Sequence, residues 1–188
     1  MDWRPGGWLT GVEWLASPNF GERPAGAAVS LVVVHNISLP PDEFGGEWVE
    51  RFFLNQLNAQ AHPYFATIAE AQVSAHFYIR RDGRVIQFVG CDQRAWHAGQ
   101  SQWCGRENCN DYSVGIELEG CDNQPFTPVQ YAVLWPVLDA LRARYPIAAI
   151  AGHRDIAPGR KTDPGACFDW QAVRARYPDL GLPAEVTT

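Results

Sequence analysis

Between Gly152 and Gly165 the chain sets His153, Lys161 and Asp163 among two prolines and three glycines. Imidazole and carboxylate are zinc ligands, and a catalytic zinc site takes three protein ligands and keeps a fourth position for water. The stretch reads as an active-site loop with one ligand near each end. A third ligand must then come from elsewhere in the chain.

Five histidines are present. His35 closes the β-branched run Val29 to Asn36, where Leu31, Val33 and His35 share one side-chain direction. His153 follows a second short apolar run, Ile147 to Ala151. Any single histidine reads as well as a satisfied core or edge residue, but two at the ends of two buried strands favour a common site. His76 and His97 stay open as alternatives for the metal or for substrate. Pro164 holds Asp163 extended and fixes its carboxylate's direction, although an aspartate that only caps a turn has the same pattern. Lys161, two residues earlier, emerges on the same side. It suits stabilising negative charge on a carbonyl oxygen, against the plain alternative of a solvated lysine. Glu117 and Glu119 share one face of an alternating strand, Ser113 to Glu119, in a setting where glutamate is unusual.

These residues need a sheet. The spacing predicts strands over 29–36, 113–119 and 147–151 and a hairpin through Arg81-Asp82-Gly83-Arg84, pairing Phe77–Ile79 with Val85–Val89. Helices are expected over 47–57, from Thr127-Pro128 to about Arg144 with Pro136 kinking or interrupting it, and over 169–177. Residues 1–28 read as an irregular segment packed across the domain, 58–75 as a long loop with a helical turn, and 178–188 as a tail. No repeat or linker divides the 188 residues, so one domain, 1–188, is expected.

A net charge of −6 argues against a nucleic-acid partner. There is no basic amphipathic helix and no apolar run of membrane length, so no membrane partner is expected. Asp2, Arg4 and Glu13 interrupt the first fifteen residues, which lack the apolar core of a secretory signal. With five cysteines, an odd number, the expectation is reduced thiols in the cytoplasm. Cys104 and Cys109 have no matching second pair for a zinc knuckle. Eight tryptophans exceed what a core of this size needs, which points some of them at a ligand.

Six separated motifs in order carry a family resemblance: Val34-His35-Asn36-Ile37-Ser38-Leu39-Pro40-Pro41, Ala61-His62-Pro63-Tyr64-Phe65, Val73-Ser74-Ala75-His76, Arg94-Ala95-Trp96-His97-Ala98-Gly99, Gly115-Ile116-Glu117-Leu118-Glu119-Gly120 and the Gly152 to Gly165 loop. From about Trp8 to Tyr177 the chain resembles the AmpD-type 1,6-anhydro-N-acetylmuramoyl-L-alanine amidases. The resemblance implies an α/β (α+β) fold, a mixed β-sheet flanked by helices as in peptidoglycan recognition proteins. It implies a zinc centre of His35, His153 and Asp163, with Glu117 and Lys161 assisting catalysis; Cys167 is out of register for a ligand. It also implies action on a small muropeptide in wall recycling and an influence on β-lactamase induction; a monomer is expected. Tyr64, Phe65 and Trp96 are expected as platforms for the sugar and peptide, with Asn36, His97, Ala98 and Arg106 as further contacts. Gln72 stands where the family has a basic residue. A binding module without metal, and an amidase acting on intact wall, are the alternatives.

Overall fold

The structure is a computed structural model and describes residues 1–183. Six strands, β1 (Glu13–Trp14), β2 (Leu31–Ile37), β3 (Phe77–Ile79), β4 (Val85–Gln87), β5 (Ser113–Glu119) and β6 (Ala149–Gly152), form one sheet. Its order is β6-β2-β5-β3-β4-β1. Neighbours are parallel except the hairpin β3–β4, so the sheet is mixed, as expected. Five helices accompany it: α1 (Trp48–Phe53), α2 (Phe65–Ile68), α3 (Pro128–Arg144), α4 (His153–Ile156) and α5 (Trp170–Arg176).

Alternation along β2 and β5 divides the chain's apolar residues between two faces. Val32, Val34, Val114, Ile116 and Leu118 join Leu134, Val137, Leu138 and Leu141 of α3 in one core cluster. Leu31 and Val33 pack on the other side with Ala151, Tyr112 and Ile156. A separate cluster joins Phe52 and Phe53 of α1 to Tyr78, Ile86 and Phe88. Both faces of the central strands are therefore covered, which is why all seven residues of β5 are buried.

Several local expectations change. The first 28 residues carry two-residue strands at Trp3–Arg4, Trp8–Leu9, Glu13–Trp14 and Phe20–Gly21, and the third of these extends the main sheet. Helix α1 ends at Phe53, short of Leu57, with Asn55 in the left-handed region at φ 58°. Pro136 neither interrupts nor ends α3. It lies exposed, as does Ala132, the residue whose carbonyl it leaves without a helical donor. The start of α3 is a capping box in which Thr127 Oγ1 accepts from Gln130 N and Gln130 Oε1 accepts from Thr127 N. Within 178–183 the chain is not a free tail, since Gly181 pairs with Ala149 beside β6. Residues 184–188 of the expected tail lie outside the described residues.

Candidate active site

Register brings the chemistry together. On β5 and β2, Glu117 sits opposite His35, and Val34 sits opposite Gly152 at the end of β6. His153, the next residue, opens α4 and so arrives beside His35. His35 and Glu117 project on the face away from α3, because Val34 and Ile116 take the other. Asp163 comes back over this edge on its loop, held where its carbonyl accepts from Arg154 N at 2.8 Å. Gly165 sustains that return: at φ +81° an added Cβ would lie 2.4 Å from Asp122 Cα.

Three donor atoms converge. His35 Nδ1 lies 3.0 Å from His153 Nδ1, and Asp163 Oδ2 lies 3.1 Å from each. His153 Nε2 faces the Ala98 carbonyl at 3.1 Å, an acceptor only, so Nε2 carries the ring proton and Nδ1 offers a lone pair. Burial pushes His35 down to about 4 against the opposing Asp163 hydrogen bond, leaving its imidazole neutral at pH 7. Burial would raise the Asp163 carboxyl, but its contacts with His153 and His35 outweigh that and hold it well below the carboxylate range. Lone pairs this close repel unless a proton or cation lies among them. Ligand atoms on a tetrahedral ion with bonds of about 2.0–2.1 Å are about 3.3 Å apart, close to this triangle. His35, His153 and Asp163 thus fit a metal ion.

Glu117 stands beside the triangle, Oε1 4.0 Å from His35 Nδ1 and Oε2 buried without a hydrogen-bond partner among the described residues. Burial first, then the Asp163 charge, push its carboxyl well above the carboxylate range, while Lys161 acts in the opposite direction. A carboxyl shifted in this direction at the edge of a cavity is a candidate for acid–base chemistry. Glu119, on the same strand face, is spent on structure: its oxygens accept from Gly45 N at 2.5 Å and Arg81 N at 2.8 Å. Glu117, His153, Lys161 and Asp163 all line a cavity of about 570 Å³. Lys161 is exposed in it.

A sequence profile of the N-acetylmuramoyl-L-alanine amidases matches residues 25–166. The chain belongs to that family. The 1,6-anhydro-N-acetylmuramyl-L-alanine amidase AmpD of Escherichia coli K12 is 54% identical over 170 residues, which span 89% of this chain and 93% of that protein. The crystal structure of a selenomethionine AmpD derivative matches with a TM-score of 0.90 at 53% identity, covering 93% of this chain and 98% of that one. AmiD of E. coli, solved with its substrate anhydro-N-acetylmuramic acid-L-Ala-D-gamma-Glu-L-Lys, matches with a TM-score of 0.60 at 30% identity over 88% of this chain and 68% of its own. The resemblance and the fold class expected from the sequence are both borne out.

In this amidase the expected substrate residues divide. Asn36, Tyr64, Trp96 and His97 line the cavity. Asn36 Nδ2 also donates to Asp122 Oδ1 at 2.7 Å. Phe65 is fully buried against Trp48 and forms core, not a platform. Ala98 is fully buried, its carbonyl taken by His153 and Arg160. Arg106 is absent from the cavity lining and lays its guanidinium 3.7 Å from the centre of the Tyr112 ring. Both ring nitrogens of His97 are engaged, Nδ1 with His35 Nε2 at 2.9 Å and Nε2 with Ser113 Oγ at 3.1 Å, so it has no free polar atom for substrate. Asp122 and Arg160, which also line the cavity, had no distinguishing signal in the sequence.

His76, the other spare histidine, is a structural residue. Its Nδ1 accepts from Gly115 N at 3.0 Å, and Nε2–H donates to Gln93 O at 3.0 Å, with Arg23 Nη2 3.2 Å away. Burial, then the Arg23 charge, push it down to about 3. Below pH 6.5 the unfolded chain protonates this ring while the folded one does not. Stability is therefore present above that pH and is lost toward pH 3 at up to roughly 1.4 kcal/mol per pH unit. His76→Asn, which keeps an acceptor near Nδ1 without titrating, is expected to flatten the pH dependence of urea unfolding between pH 6.5 and 4; an unchanged slope would remove His76 from the account.

Proposed function

We propose that this chain hydrolyses, with zinc, the amide joining the lactyl group of 1,6-anhydro-N-acetylmuramic acid to L-alanine in muropeptides. It does so as a monomer in the cytoplasm, in the recycling of wall fragments. The supporting observation is the triangle of His35, His153 and Asp163 beside an unpartnered Glu117. The names of relatives more than half identical over most of the chain supply the substrate class.

Zinc bound by the three residues would supply Lewis acidity, polarising the amide carbonyl and acidifying water. Glu117 Oε2 takes the proton of the attacking water and delivers it to the leaving alanine nitrogen, so that C–N cleavage releases a neutral amine. Lys161 Nζ, exposed in the same cavity, faces the charge that develops on the carbonyl oxygen. Tyr64 and Trp96 offer apolar surface to the sugar and peptide, and Asn36 a polar edge.

Lys161→Ala is expected to lower kcat by about 10²–10³-fold, the loss typical of one oxyanion donor, with zinc content unchanged. A variant that lost zinc instead would make Lys161 structural. The substrate assignment is tested by mass analysis of products from anhydro-muropeptides, reducing-end muropeptides and intact sacculi offered separately. Free stem peptide should appear first and fastest from the soluble anhydro pool. Equal release from sacculi would redirect the assignment to an amidase of intact wall, and binding without release would leave a recognition module.

A further inference from the structure

Neither imidazole of the triangle orients itself. His153 Nε2–H ends on the carbonyl of Ala98 at 3.1 Å, and His35 Nε2 ends on the ring of His97 at 2.9 Å. The two partners are consecutive residues of one segment. The two backbone N–H groups of that segment share one acceptor: Asn110 Oδ1 accepts from His97 N at 3.1 Å and from Ala98 N at 2.8 Å, while Arg160 Nη2 donates to the Ala98 carbonyl at 2.8 Å. Asn110 is 6% exposed, and its own carbonyl accepts from Arg23 Nη1 at 3.1 Å. On the opposite side the His97 ring lies over Gly115, where a Cβ would be 2.5 Å from its Cγ, and Ser113 Oγ meets its Nε2 at 3.1 Å. A gap in the β5 side chains, a hydroxyl and a carboxamide therefore fix one ring and one carbonyl, and these face both histidines.

We propose that Asn110 is a positioning residue for the metal centre, holding His97 and Ala98 where they fix both His35 and His153 as Nδ1 ligands. The inference rests on the metal reading of the triangle. Partners that hold a ligating imidazole's second nitrogen set its tautomer and orientation, and losing one typically costs 10–100-fold in metal affinity. One carboxamide oxygen that governs both partners puts the effect of its removal at the upper end of that range. Asn110 reaches neither substrate nor metal, so its effect passes through the two rings.

The test is carried out on the full chain with Zn²⁺ and Co²⁺ alone as probes. Affinity is read by competition with a chelating indicator, and ligand geometry by the visible bands of the Co²⁺ form. Asn110→Ala is expected to weaken Zn²⁺ about 100-fold and to shift the Co²⁺ bands. Asn110→Asp keeps the acceptor and is expected to recover affinity to within about tenfold with wild-type bands. A residue that merely supported its loop would lower the unfolding midpoint of the metal-free protein and leave the bands in place. Should Asn110→Ala not fold, the pair His97→Leu and His97→Asn examines the same segment, since asparagine sets an oxygen near the Nδ1 position and leucine sets none. Wild-type affinity and bands in Asn110→Ala, or in His97→Leu, would overturn the proposal while the metal centre stood. A wild-type chain that bound neither ion would overturn the metal reading and this inference together.

Discussion

Glu117→Gln is expected to lower kcat by about 10²–10⁴-fold, the range for a lost general acid–base group, while zinc content and fold stay as in wild type. The substitution keeps shape and removes only the ability to hold and release a proton. The site isolates that change well, because Glu117 Oε2 has no hydrogen-bond partner among the described residues whose loss could disturb packing. Its carboxyl is also the group that burial, and then the Asp163 charge, raise well above the carboxylate range. Glu119→Gln provides the contrast. Its oxygens hold the backbone at Gly45 and Arg81, so it should lower the unfolding midpoint and leave kcat within a few-fold. Steady-state kinetics with metal analysis on both variants checks the pair. Near wild-type turnover in zinc-loaded Glu117→Gln would remove the proton shuttle from the mechanism.

Asp163→Ala carries the other large effect. Asp163 Oδ2 closes the triangle at 3.1 Å from both imidazoles and supplies its only negative charge. Removing it leaves two neutral nitrogens, a poor set for a divalent ion in a largely buried position. Zinc affinity should fall by more than the roughly 100-fold that loss of an outer hydrogen-bond partner costs, and amide hydrolysis should fall to background at micromolar zinc. Equilibrium dialysis against a zinc buffer measures the first, product analysis the second. Stoichiometric zinc in Asp163→Ala at wild-type affinity would mean that another group is the third ligand.

The strand that carries His35 and the one that carries Glu117 were legible because β-branched runs and strict alternation leave little choice of structure. The hairpin followed from Asp82-Gly83, and α3 from Thr127-Pro128. What periodicity could not give was the order of the sheet, β6-β2-β5, which sets three chemical residues from 118 positions of chain into adjacent rows. The first 28 residues looked irregular because their strands are two residues long, too short for any period to register. Pro136 does not interrupt α3, since a proline's cost in a helix depends on whether the freed carbonyl can reach water. At the site, His97 was visible as a histidine but not as a partner of His35. Asn110 had no signal at all: its importance lies in one carboxamide oxygen accepting from two backbone N–H groups, a contact between residues twelve and thirteen positions apart.

One metal ion on His35, His153 and Asp163 is expected to make this chain an amidase. The most direct measurement is stoichiometric titration of the metal-free protein with Zn²⁺, following release of stem peptide from a purified 1,6-anhydro-muropeptide. Activity should rise linearly from zero and level off at one equivalent, and a chelator in excess should return it to zero. Full activity in protein shown to be free of metal, or a plateau at two equivalents, would contradict the account.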